Sequence, residues 1–76
     1  MFNLVKGTLY EMDYINYRGE KSRRLIRFMW FEYGDNEWHK TPQFFMVAED
    51  VAKGKTRYFA TKDISDLDFF EGLTRK

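Results

Sequence analysis

Cysteine is absent from the 76-residue chain, which excludes disulfides, thiolate nucleophiles and cysteine-ligated zinc. A domain of this size with no covalent staple is held by its packed core or by association with other chains. Histidine occurs once, and neither HExxH nor EF-hand spacing is present, so no metal is expected. The five glycines are scattered singly, which leaves no phosphate-cradling glycine loop. His39 and the serines Ser22 and Ser65 do not have the spacing of a nucleophile, base and orienting group, and nothing calls for a cofactor. Charge of one sign is missing too. Thirteen Lys or Arg face twelve Asp or Glu, a formal net charge of +1, so bulk charge draws the chain neither to nucleic acid nor to a membrane surface. No stretch approaches the ~20 apolar residues that span a bilayer. The first seven residues carry no apolar core of a signal peptide, and a cytoplasmic location without membrane contact is the expectation.

What the chain has in quantity is aromatic side chains: eight Phe, five Tyr and two Trp. Each buries about 150–250 Å², more than one small core accommodates. The length suits a single domain, 1–76, because a second core would leave neither half enough apolar surface.

Apolar residues mixed with polar ones place a strand over residues 9–17, and its alternation over residues 12–17 puts Asp13, Ile15 and Tyr17 on one face. Gly19 among charged neighbours marks a hairpin turn. The next strand, residues 23–33, sets Arg24, Ile26, Phe28 and Trp30 against Leu25, Arg27, Met29, Phe31 and Tyr33. Both faces are apolar, as in a central or strongly bent strand. Turns follow at residues 33–37 and around Pro42, with Trp38 and His39 between them. A third strand covers residues 43–50, Gly54 makes a further turn, and a fourth strand runs over residues 56–61. Ser65-x-x-Asp68 has the pattern of a capping box with Asp in place of Glu, which predicts a short C-terminal helix containing Phe69 and Phe70. The expected architecture is an antiparallel barrel of four or five strands closed by that helix. Ile15, Ile26, Phe45, Val47 and Phe59 are its predicted core.

The paired carboxylates Glu49/Asp50 and Asp66/Asp68 fall where turns and caps use them. Arginines interleaved with aromatics are a different pattern, because stacking on aromatic rings and charge-assisted phosphate contacts together hold nucleotides and single strands. Arg23, Arg24, Arg27, Arg57, Lys62, Trp30, Trp38, Tyr58 and His39 supply it. The competing use of such a surface is a protein interface or a homodimer, through Trp30, Phe31, Phe69 and Phe70.

The succession Tyr17-Arg18-Gly19-Glu20, Arg24-Leu25-Ile26, Tyr33-Gly34, Glu37-Trp38-His39, Pro42-Gln43-Phe44-Phe45-Met46, Ala48-Glu49-Asp50, Arg57-Tyr58-Phe59-Ala60 and Asp63-Ile64 resembles the WYL domain over about residues 12–64. The resemblance implies an Sm-like, SH3-like barrel acting as a ligand-sensing module of bacterial or phage regulators, with nucleic acid or nucleotides as ligand. By position it implies ligand contacts at Arg24 and Arg57, with His39 and Lys62 beside them; Trp38 adds an aromatic from the pattern above. Phe28 stands where the family has proline, and the signature tripeptide is replaced by Phe44-Phe45-Met46. The expectation is a stand-alone, non-enzymatic module that binds single-stranded nucleic acid or a nucleotide, the alternative being a domain that docks on a regulatory protein.

Overall fold

The computed structural model of the chain describes residues 4–35 and 41–70. They form one antiparallel sheet of five strands, β1 (Leu9–Ile15), β2 (Lys21–Gly34), β3 (Gln43–Asp50), β4 (Lys55–Ala60) and β5 (Ile64–Phe69). The spatial order is β4-β3-β2-β1-β5, so the first four strands meander and the fifth returns to the free edge of β1. Among the described residues no ladder joins β4 to β5, and the sheet is open. No helix of the described residues is long and apolar enough to cross a membrane.

The β1–β2 hairpin closes as its residues dictate. The Asn16 side chain accepts the backbone N–H groups of Arg18 and Glu20 at 2.9 and 3.0 Å, and Gly19 takes the positive φ of 80° that the turn requires. At the β3–β4 turn, Gly54 likewise has φ 65° and donates to the Asp50 carbonyl.

Period-2 alternation puts Tyr10, Met12 and Tyr14 of β1 on the inner face, and they join Ile26, Phe28, Met46, Ala48, Phe59 and Ile64 in the main core. The face expected from residues 12–17 is therefore the wrong one: Ile15 is 39% exposed and Tyr17 more so, while Met12 is fully buried. Charge decides this. The face of Ile15 also carries Glu11 and Asp13, which pair with Arg23 and Lys21 in solvent. The other four predicted core residues are buried.

Strand β2 does not keep one parity along its length. Phe28 pairs with Ala48 but Trp30 pairs with Val47, so a bulge at Met29 exchanges the two faces. Beyond it Phe31 turns inward beside Phe28, ring centroids 5.0 Å apart, and Trp30 leaves the face of Ile26 and Phe28 to which strict alternation assigned it. Val47 is thereby seated between its register partners Trp30 and Tyr58, and Phe45 between Glu32 and Ala60. These make a second, smaller apolar layer on the outer face, in which Phe45, Val47 and Ala60 are buried.

The predicted C-terminal helix is replaced by a strand. Its apolar residues, Ile64, Leu67 and Phe69, serve the open edge of β1. Ile64 enters the core and Leu67 packs against it, and Phe69 stacks on Tyr10 at 5.2 Å. A helix would have left the backbone of β1 unpaired on that side. Asp66, at φ 51°, makes the irregularity that lets the ladder resume. The β1 parity is testable: Met12→Ala should destabilise by about 2–5 kcal/mol and Ile15→Ala by no more than about 0.5 kcal/mol, as read from urea unfolding midpoints.

Candidate anion-binding site

On the inner face, at the end where β1, β2 and β4 approach one another, polar groups gather around Tyr14. Its hydroxyl accepts the backbone N–H of Ala60 at 3.1 Å, and its ring meets Phe59 edge-on at 4.9 Å. The guanidinium of Arg24 lies over the same ring, 5.8 Å from the centroid. Arg24 also donates to Asp50 at 3.1 Å and, through Nε, to Ser22 at 2.9 Å. Asp50 is the one buried charged residue among those described. With side chains 18% and 3% exposed, the Arg24–Asp50 pair is shielded from salt, and a lone Asp50 would be costly to bury.

Register explains why these residues meet. Arg24 faces Met12 across β1–β2, and Arg57 faces Ala48 across β3–β4. Met12 and Ala48 are both core residues, so both arginines point to the inner face. Arg57 is half-buried and, among the described residues, has neither an ion pair nor a hydrogen bond. The other arginines differ. Arg23 is held by Glu11, Asp13 and Asp66, Arg24 by Asp50, Arg27 by Glu49 and the Gly7 carbonyl, and exposed Arg18 by the ring of Tyr17.

Burial pushes the Tyr14 phenol above its ordinary value, opposed by the Ala60 hydrogen bond; Asp63 raises it further, and the charges of Arg24 and Arg57 lower it. Both guanidiniums thus act on one phenol. Arg24 is already neutralised by Asp50, which leaves Arg57 as the cation available to an incoming anion.

Of the residues singled out from sequence, the structure brings Arg24 and Arg57 to this face. Lys62 is exposed, its ammonium 3.3 Å from Asp63. Trp38 and His39 lie outside the described residues. Sequence reasoning missed Tyr14 and Asp50. The signal for Tyr14 was present: extending the β1 window back to Leu9 shows Tyr10, Met12 and Tyr14 alternating with the charged Glu11 and Asp13. Asp50 carried no such mark, because a carboxylate before a turn is ordinary. Among the described residues, no group of three His, Cys, Asp or Glu side chains could hold a metal ion.

Compared with known proteins, the chain matches no family model, no curated protein and no solved structure.

The raised pKa of Tyr14 has a consequence for stability. The neutral phenol is favoured in the folded state, so its contribution is complete below pH 10, the unfolded value. It is lost as pH rises from there through the higher folded value, because the unfolded chain releases the proton first. Tyr14→Phe should therefore lose less stability than wild type above pH 10, in urea titrations compared pairwise. At neutral pH the same change should cost about 1–3 kcal/mol, because the buried Ala60 N–H loses its acceptor.

Proposed function

We propose that this chain is a non-enzymatic binding module, a diverged WYL-like domain of the Sm-like or SH3-like barrel type. It captures a phosphate-bearing ligand, single-stranded nucleic acid or a nucleotide, on its inner face. The observation that carries this reading is that Arg57, a partly buried residue, has no acceptor for its guanidinium among the described residues. A phosphate oxygen would supply both the opposite charge and the hydrogen bonds that the protein leaves unmade. The strand order supports the barrel reading: β5 follows β4 through a short 3-10 turn (Thr61–Asp63) and pairs with β1 at the far edge of the sheet.

The mechanism is electrostatic capture on a prebuilt surface. Asp50 and Ser22 hold the Arg24 guanidinium over Tyr14, so Arg24 adds field and shape without being consumed as a free charge. Arg57 makes the direct contact, and the Tyr14 phenol, in the field of both arginines, offers a hydroxyl proton at neutral pH.

A second reading, a protein-interaction or homodimerising domain, is favoured by one specific observation. Trp30, Tyr33, Phe44, Tyr58 and Phe69 are all exposed, more aromatic surface than a free sheet needs to show.

Salt and charge removal separate the two. Phosphate contacts release counterions, so binding of a short fluorescent single-stranded oligonucleotide should weaken steeply with salt, whereas an apolar interface should not. Arg57→Ala should leave the melting temperature nearly unchanged and weaken that binding about tenfold, since a charge-assisted contact is worth about 1.5–3 kcal/mol. It should also flatten the salt dependence by close to one phosphate's worth. No binding by wild type at low salt, or equal binding by Arg57→Ala, would leave the protein-interaction reading.

A further inference from the structure

The outer face of the sheet carries a second feature that the anion site does not use. Beyond the bulge at Met29, the β2–β3 hairpin runs past the end of β1. β1 pairs only with residues 21–27 of β2, and residues 30–34 pair with β3 alone. The fourteen residues of β2 make it the longest strand of the sheet. On this projecting arm lies an open groove of about 310 Å³, lined by Glu32, Tyr33, Gly34, Asp35, Phe45 and Tyr58. Its floor is apolar, since Phe45 is buried, and Tyr58 gives it an exposed aromatic wall; the Tyr33 ring turns to the inner face against Phe44, centroids 4.8 Å apart.

The carboxylates of this groove, like Asp68 of β5 and unlike most others of the sheet, face no cation among the described residues. Glu11, Asp13, Glu49, Asp50, Asp63 and Asp66 each face a lysine or arginine within 3.7 Å. Among the described residues Glu32 and Asp35 face none, and no basic side chain lines the groove. Glu32 instead accepts the indole N–H of Trp30 at 2.9 Å, which fixes one of its oxygens and leaves the other to solvent or a ligand. A groove with an exposed tyrosine wall, an apolar floor and two unneutralised carboxylates is complementary to a cation with a flat, partly apolar body. Guanidinium fits that description better than ammonium, because it stacks on tyrosine faces and pairs with a carboxylate through two N–H groups.

We infer that this groove is a docking site for an arginine side chain presented by an extended segment of another protein. It is a surface separate from the inner face, because Tyr58 and Arg57 are neighbours in β4 and point to opposite sides. Its occupancy does not depend on what Arg57 binds.

The test uses the full chain, isotope-labelled, and a peptide of three arginines spaced by Gly-Ser, followed by NMR. The Trp30 indole N–H signal should shift on titration, together with the backbone amides of Tyr33 and Tyr58, because an arginine that engages Glu32 changes the acceptor of that indole. Glu32→Gln combined with Asp35→Asn, both at exposed positions, should keep the fold and weaken binding about tenfold, the sum of two exposed ion pairs. Tyr58→Leu should weaken it severalfold with both carboxylates in place. The neutral citrulline version of the peptide should give no shift. Arg57→Ala should bind the arginine peptide as wild type does, which keeps this result independent of the anion site. The inference is overturned if the arginine peptide leaves the Trp30 indole unmoved at millimolar concentration. Equal binding by the citrulline peptide or by the double carboxylate variant would overturn it as well. So would displacement of the same signals by a single-stranded oligonucleotide, which would assign the groove to an anion.

Discussion

The bulge at Met29 is the constraint on which the rest of the sheet depends. One extra residue in β2 lets a single strand serve two apolar layers in succession. Before it, Ile26 and Phe28 fill the inner core. After it, Phe31 continues that core, while Trp30 and Glu32 line the outer layer that buries Phe45 and Val47. Without the exchange, Trp30 would follow Phe28 into the inner face and Val47 would lose its neighbour. The bulge also adds twist to the strand, which suits an arm that extends past the edge of β1.

Division of labour between the faces follows from that geometry. The inner face holds a small number of polar groups at one end, arranged around Tyr14, and among the described residues Tyr14, Arg24, Ser22 and Asp50 have internal partners there while Arg57 has none. The outer face is laced by exposed ion pairs over β1, β2 and β3, and then, past the bulge, changes to aromatic rings with unpaired carboxylates.

The extent to which the sequence foretold this varies by element and has physical causes. Strands β2, β3 and β4 were legible because long β-branched and aromatic runs are bounded by glycine turns, and the structure places Gly19 and Gly54 in the positive-φ conformations read from their context. Strand β1 was found with its faces reversed, since the window that began at Met12 weighed Ile15 and Tyr17 above Glu11 and Asp13. The C-terminal segment was misassigned for a different reason. Ser65-x-x-Asp68 is a sound local helix start, yet the unpaired edge of β1 offers backbone hydrogen bonds and a place for Ile64 in the core, and this tertiary demand overrides local propensity. The bulge left no mark in the residue pattern, because Met29 and Trp30 are acceptable on either face. Of the candidate site, Arg24 and Arg57 were identified as a pair, but Asp50, which neutralises one of them, could be recognised only once β2 and β3 were in register.

Of the two edge strands, β5 is joined to the sheet less evenly than β4: its ladder with β1 is interrupted, and it puts one residue, Ile64, into the core. Part of its attachment runs through Arg23, whose guanidinium reaches both the backbone carbonyl and the carboxylate of Asp66 at 3.0 Å while also holding Glu11 and Asp13. These contacts are exposed and hence weakened by dissolved ions, whereas the apolar layers are not. Ionic strength therefore acts on this protein regionally. At high salt the last strand gains freedom to detach and exchange its amide protons while the β1–β4 meander stays folded, so the edge of β1 becomes a graded property of the medium.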